Sequence, residues 1–135
     1  MRALILLCIL AGALAAQDVP VPKAGYGGDY WTRNEHAWTT WVVLGKHPLP
    51  ARRAEGFPED WQAPEALLSV RWDIPKWPEV ARFPPGTRLT ACSDEAGGNI
   101  VKDDDGSSWL RVYLDSGAKS IGFVRCNKKW LQPVR

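Results

Sequence analysis

From Arg82 to Arg135 the chain is a succession of short apolar runs, each stopped by proline, glycine or aspartate. Pro84-Pro85-Gly86 opens onto Arg88-Leu89-Thr90-Ala91-Cys92, and Asn99-Ile100-Val101-Lys102 runs into Asp103-Asp104-Asp105-Gly106. Ser107 to Leu114, Ile121 to Cys126 and Trp130 to Val134 complete the series. Such runs are too short and too rich in β-branched and aromatic residues for stable helices, and the turns between them suit antiparallel neighbours. This half of the chain is expected to be a small antiparallel barrel, an architecture more often built for binding than for catalysis.

The first residues have the form of a targeting segment. Met1-Arg2 is a short positive start, Ala3 to Leu10 is apolar, and Ala13-Leu14-Ala15 has the small-x-small pattern of a signal-peptidase site. The apolar stretch is shorter than the ~20 residues that span a bilayer. Residues 1–16 are therefore expected to be a signal peptide, with retention as an uncleaved anchor as the alternative. The mature protein is expected to be secreted or periplasmic, without membrane insertion after cleavage.

Cleavage removes Cys8 and leaves Cys92 and Cys126, an even pair in an oxidising compartment, for which a disulfide is the simplest expectation. It would add roughly 3–4 kcal/mol in the chain-entropy treatment. Loss of Arg2 leaves 16 basic against 15 acidic residues, a net charge of +1. That balance gives no footprint for nucleic acid. A local cluster, Arg125, Lys128, Lys129 and Arg135, is read as a solvated surface, with an anion site as the alternative.

Residues 17–79 differ in character. Between Gln17 and Phe83 lie eight of the eleven prolines and six of the eight tryptophans. Val19-Pro20-Val21-Pro22 is an extended lead-in, and Gly25-Tyr26-Gly27-Gly28 a flexible turn. Trp38 to Leu44 is expected to be a strand ending at Gly45. Arg52 to Gln62 reads as a loop, and Pro64 to Trp72 as a short helix or a strand. The segment is too apolar to be disordered and too broken by proline to stand alone. It is expected to be an extension packed on a barrel formed by residues 80–135.

Catalytic and metal chemistry finds little support. Asp103-Asp104-Asp105-Gly106 lacks EF-hand spacing, because Val101 and Val112 occupy ligand positions, and it reads as a hairpin turn. His36 and His47 flank the strand expected from Trp38, with no visible nucleophile in reach. Glu55, Glu59 and Asp60 lie in a charged loop. The protein is expected not to be an enzyme and to need no cofactor or metal.

The C-terminal pattern resembles bacterial SH3-like domains of secreted, cell-wall-associated proteins. The resemblance is carried by Phe83-Pro84-Pro85-Gly86-Thr87-Arg88-Leu89, Asp105-Gly106-Ser107-Ser108-Trp109-Leu110-Arg111-Val112, Gly122-Phe123-Val124-Arg125 and Trp130-Leu131-Gln132-Pro133-Val134. It implies a mainly β fold, an SH3-like barrel with a Trp/Pro-rich extension, and a ligand groove containing Trp109 and Trp130. Tyr113 joins these as a candidate. Thr90 to Glu95 replaces the family's groove tyrosines and Arg125 its proline, so polyproline recognition is not expected. Independently, an indole face can stack on a sugar ring. Trp38 and Trp41, three apart on a predicted strand, would face opposite ways, leaving one of them available to a ligand. The expected function is non-catalytic recognition of cell-envelope polymer, peptidoglycan or glycan. The alternative is a structural or inhibitory partner of an extracytoplasmic protein, docking through the Trp-rich extension.

Overall fold

The computed structural model describes residues 22–31, 38–94 and 97–134. The expected signal peptide, His36 and Arg135 lie outside the described residues. Eight strands form among the described residues, six of them where apolar runs were read: β1 (Thr40–Val43), β2 (Leu49–Arg52), β3 (Glu79–Phe83), β4 (Arg88–Thr90), β5 (Ile100–Lys102), β6 (Ser108–Tyr113), β7 (Ile121–Arg125) and β8 (Leu131–Val134). β2 and β3 are additions to the sequence reading. Three short 3₁₀ turns are found among the described residues, Tyr26–Gly28, Pro64–Leu67 and Ile74–Lys76. No helix among the described residues is long and apolar enough to cross a membrane.

The strands form two antiparallel sheets, ordered β4-β1-β8 and β3-β2-β7-β6-β5. They do not close into a barrel. A closed barrel would bring the first and last strands of the C-terminal half together, yet β1 lies between them, pairing Trp41 with Leu89 on one side and Pro133 on the other. β2 likewise joins β3 along its length and meets β7 at Arg52↔Phe123. β1 is thus an interior strand of the three-stranded sheet and β2 of the five-stranded one.

The alternation of β6 explains why its residues are so uniformly buried. Leu110 and Val112 enter one core with Trp38, Trp41, Val43, Leu89, Val124 and Leu131. Trp109 enters another with Trp61, Ile74, Trp77 and Phe123. One face of the five-stranded sheet packs in the first core, and the proline-broken segment around Phe57 to Trp77 covers the other. Irregular backbone presents few regularly spaced side chains, so large rings fill the space instead. Phe57, Trp72 and Trp77 surround Phe123 with centroid separations of 5.4, 6.0 and 5.5 Å, steeply inclined. The segment from Phe57 to Trp77 packs on the five-stranded sheet through these rings.

Trp38 and Trp41 are both buried, at 2% and 0% exposure. Strand alternation does not separate them because β1 begins only at Thr40, and Trp41 Nε1 donates to the Trp38 carbonyl at 2.9 Å. Neither is available to a ligand. Arg111 is also buried, its guanidinium 4.5 Å from the Trp61 ring centroid, with Nη1 donating to the carbonyls of Cys92 and Gly98.

The expected disulfide is not formed: Cys92 and Cys126 are buried thiols. Cys92 N–H donates to Arg111 O, and Cys126 N–H donates to Ser108 O. Arg111 O points to the β5 side of β6, where Arg111 N–H meets Asn99 O, whereas Ser108 O points to the β7 side. The cysteines therefore flank β6 on opposite edges, about two strand spacings or ~9.6 Å apart laterally. That exceeds the ~7 Å Cα separation a disulfide tolerates. They also belong to different cores.

Candidate ligand-binding cleft

Where β1 turns into β2, Gly45 adopts φ +90°, a conformation that favours glycine, and lets the chain reverse over the turn at residues 127–130. Leu44 N–H donates to the Trp130 carbonyl at 2.8 Å. Asn127 anchors that turn: its backbone carbonyl accepts from Trp130 N–H and its side-chain oxygen from Lys129 N–H, at 3.0 and 2.9 Å. Two segments distant in sequence thus form one rim of a cleft of about 630 Å³. Pro48, Pro50 and Pro75 stiffen its walls, Trp109 lies in its lining, and Lys46, His47, Lys129 and Trp130 stand around it.

The floor is organised by Asp103, only 7% exposed. Its Oδ1 accepts from the N–H groups of Asp105 and Ser107, both at 2.9 Å, and its Oδ2 from Trp109 Nε1 at 2.8 Å. The acidic run is the hairpin turn read from the sequence, closed by Asp103 N–H to Ser107 O and by Gly106 at φ +85°. The aspartate that opens the turn also fixes the indole.

Arg125 approaches both indoles, its guanidinium carbon 5.7 Å from the Trp109 centroid and 5.8 Å from that of Trp130. Nη1 donates to the Ser108 carbonyl at 2.7 Å, and Nη2 to Asp29 Oδ1 at 2.8 Å. Burial pushes the Asp29 carboxyl up. Hydrogen bonds from Arg125, Asn127 and Ser108 N–H, with the charge of Arg125, outweigh this and hold it below the ordinary carboxylate range. Gly28, at φ +88°, lets Lys128 cross the arm, since a Cβ there would sit 3.0 Å from Lys128 Cγ.

The sequence-derived candidates therefore divide. Trp109 and Trp130 line the same cleft, but Trp109 is 4% exposed with its N–H engaged, and Trp130 is 38% exposed. Tyr113 is half-buried and lines a separate depression with Phe83, Thr90 and Leu114. Burial raises the Tyr113 phenol, with the neighbouring Cys92 adding to the shift. Trp38 and Trp41 are in the core. Of the basic cluster, Arg125 turns inward to Asp29, while Lys128 and Lys129 are exposed. Sequence reasoning left Lys46 and the three proline walls outside the site. The Gly45-Lys46-His47-Pro48 break was visible, but its pairing with Trp130 was not.

A second cleft, of about 730 Å³, is lined by Arg53, Glu55, Glu59 and Lys119, charges of both signs, and contains none of the expected residues. Comparison with protein-family models, curated proteins and solved structures finds no match to this chain.

Proposed function

We propose that the chain is an exported, non-catalytic binding protein that holds cell-envelope polymer, peptidoglycan or glycan, in the cleft beneath Trp130. The observation that carries this reading is the union of one accessible indole with a pre-stiffened, largely apolar trough. A rigid site loses little entropy on binding, and an indole face suits the apolar face of a sugar ring. Asp103, the carboxylate in the lining, is committed to three N–H donors, which favours holding a ligand over transforming one. Strands β4 to β8 are read as an SH3-like core into which β1 is inserted. The β5-β6-β7 meander followed by the 127–130 turn and β8 supports that reading.

The test is co-sedimentation of the mature protein with purified sacculi, wild type beside Trp130→Ala. Binding by the wild type and loss in a folded variant is the expected pair of results. A wild-type protein that stays in the supernatant at low and moderate salt removes the reading.

The second reading, docking on an extracytoplasmic protein, draws on the 22–31 arm, where Tyr26 is fully exposed and Trp31 is 46% exposed. Most tryptophans of the extension are buried, so the docking surface would be this arm. Retention of a partner by a Tyr26→Ala/Trp31→Ala variant would count against it.

A further inference from the structure

Resting on the polymer-binding reading above, we propose that the cleft selects an anionic ligand. A carboxylate-bearing stretch of glycan or glycopeptide places a carboxylate between Lys46 and Lys129 and a neutral ring face on Trp130.

The cations that line the cleft are not equivalent. Arg125 is matched by Asp29 at 2.8 Å. Arg52 donates Nη1 to the Trp77 carbonyl at 2.8 Å and lies opposite Glu79 in the β2–β3 ladder. Both are used within the fold. Lys46 and Lys129 are exposed, and among the described residues neither has a carboxylate within ion-pair distance. They stand on the two segments that meet at the rim, where a Cβ on Gly45 would lie 3.9 Å from the Lys129 carbonyl oxygen.

Asp103 does not neutralise this pair for a ligand. It is recessed at the floor with both oxygens accepting N–H groups, so its acceptor capacity is directed inward. The two ammonium groups therefore face solvent beside apolar walls of Pro48, Leu49 and Pro75. A ligand seated there displaces water from the walls, and a partly dehydrated rim strengthens a cation–carboxylate contact relative to open surface. A purely neutral glycan would satisfy the indole and the walls and leave both lysines unmatched. A ligand carrying acids beside a sugar or amide face satisfies all three.

The experiment is calorimetric titration of the mature chain at low salt. The probes are an N-acetylmuramyl peptide with free carboxylates, the same compound with those carboxylates amidated, and a neutral N-acetylglucosamine oligomer. The acid form is expected to bind about five-fold or more tighter than the amide, a preference that shrinks with added salt. Lys46→Gln/Lys129→Gln, folded by circular dichroism, should abolish the preference, so that acid and amide bind the variant with equal affinity. Equal binding of acid and amide, a preference that survives in the double variant, or no binding of any probe overturns the inference. Sacculus co-sedimentation separates the levels. If it persists, only the anionic selectivity falls; if it is absent as well, the polymer reading falls with it.

Discussion

Asp29 and Arg125 are 96 residues apart in the chain and share an ion pair of 2.8 Å whose side chains are 15% and 25% exposed. Their contact fastens the 22–31 arm to β7, and the arm is fastened again where Tyr30 N–H donates to the Cys126 carbonyl at 2.9 Å. The guanidinium that stacks near the two cleft indoles is thus held from the opposite end of the sequence. Cleft geometry and arm docking are coupled through one side chain.

Because the folded Asp29 carboxyl titrates below its unfolded value of about 3.9, its contribution is fully present above that value. It is lost as pH falls through the folded value. Asp29→Asn is expected to cost about 2 kcal/mol at pH 7, the scale of breaking a mostly buried, hydrogen-bonded ion pair. The gap between variant and wild type should narrow as pH is lowered from neutrality through the folded value of Asp29. Urea unfolding across an acid pH series measures this, and a gap that stays constant throughout would remove the ion pair as its source.

Trp109 and Trp130 should respond oppositely to truncation. Trp109→Ala empties a buried site and orphans an Asp103 oxygen, so a loss of about 3–5 kcal/mol is expected. Trp130→Ala removes a partly exposed ring and should cost about 1 kcal/mol or less while abolishing sacculus binding. Thermal unfolding beside co-sedimentation checks both. A stable Trp109→Ala protein would contradict the described floor.

Asp103→Ala strips the acceptor from two backbone N–H groups and one indole, all in or beside the β5–β6 hairpin. A loss of about 2–3 kcal/mol is expected. Asp103→Asn, whose amide oxygen can keep some of these bonds, should lose less. Equal losses in denaturant titrations would show that charge matters more than acceptor geometry.

The two cysteines should behave as buried thiols. Burial pushes Cys92 up to about 12, against a lesser opposing effect from Arg111, so little thiolate is present near neutrality. Alkylation of the native protein should be slow. In denaturant without reductant, both Cys92 and Cys126 should react, and mass spectrometry should find no deficit of two hydrogens. Such a deficit would require β6 and its neighbours to be arranged differently.

How far the fold could be read depended on how local each determinant was. β4 to β8 were legible because each run is bounded by its own turn signal, as Asp103 to Gly106 bounds β6. β2 was hidden by Pro50, which a strand tolerates here because the ladder from β2 to β7 is a single residue pair. β3 was obscured by Pro75 and Pro78 just before it. The disulfide expectation came from counting cysteines in an oxidising compartment, which says nothing about the strand edges they occupy. Trp109 and Trp130 were named together from a resemblance in local motifs, whereas Lys46 entered the site through Leu44 N–H meeting the Trp130 carbonyl, a contact across most of the chain.

The position of β1 has a consequence for how the molecule comes into being. Its two partners are β4 and β8, so the strand at the centre of its sheet is made long before either neighbour exists. Until Leu131–Val134 has left the ribosome, one edge of β1 has no backbone to bond, and the indole of Trp41 lacks part of its cover. Long-range pairing of this kind delays completion of the sheet until Leu131–Val134 is available. Until then β1 carries an open edge, a template that another extended segment could occupy in its place.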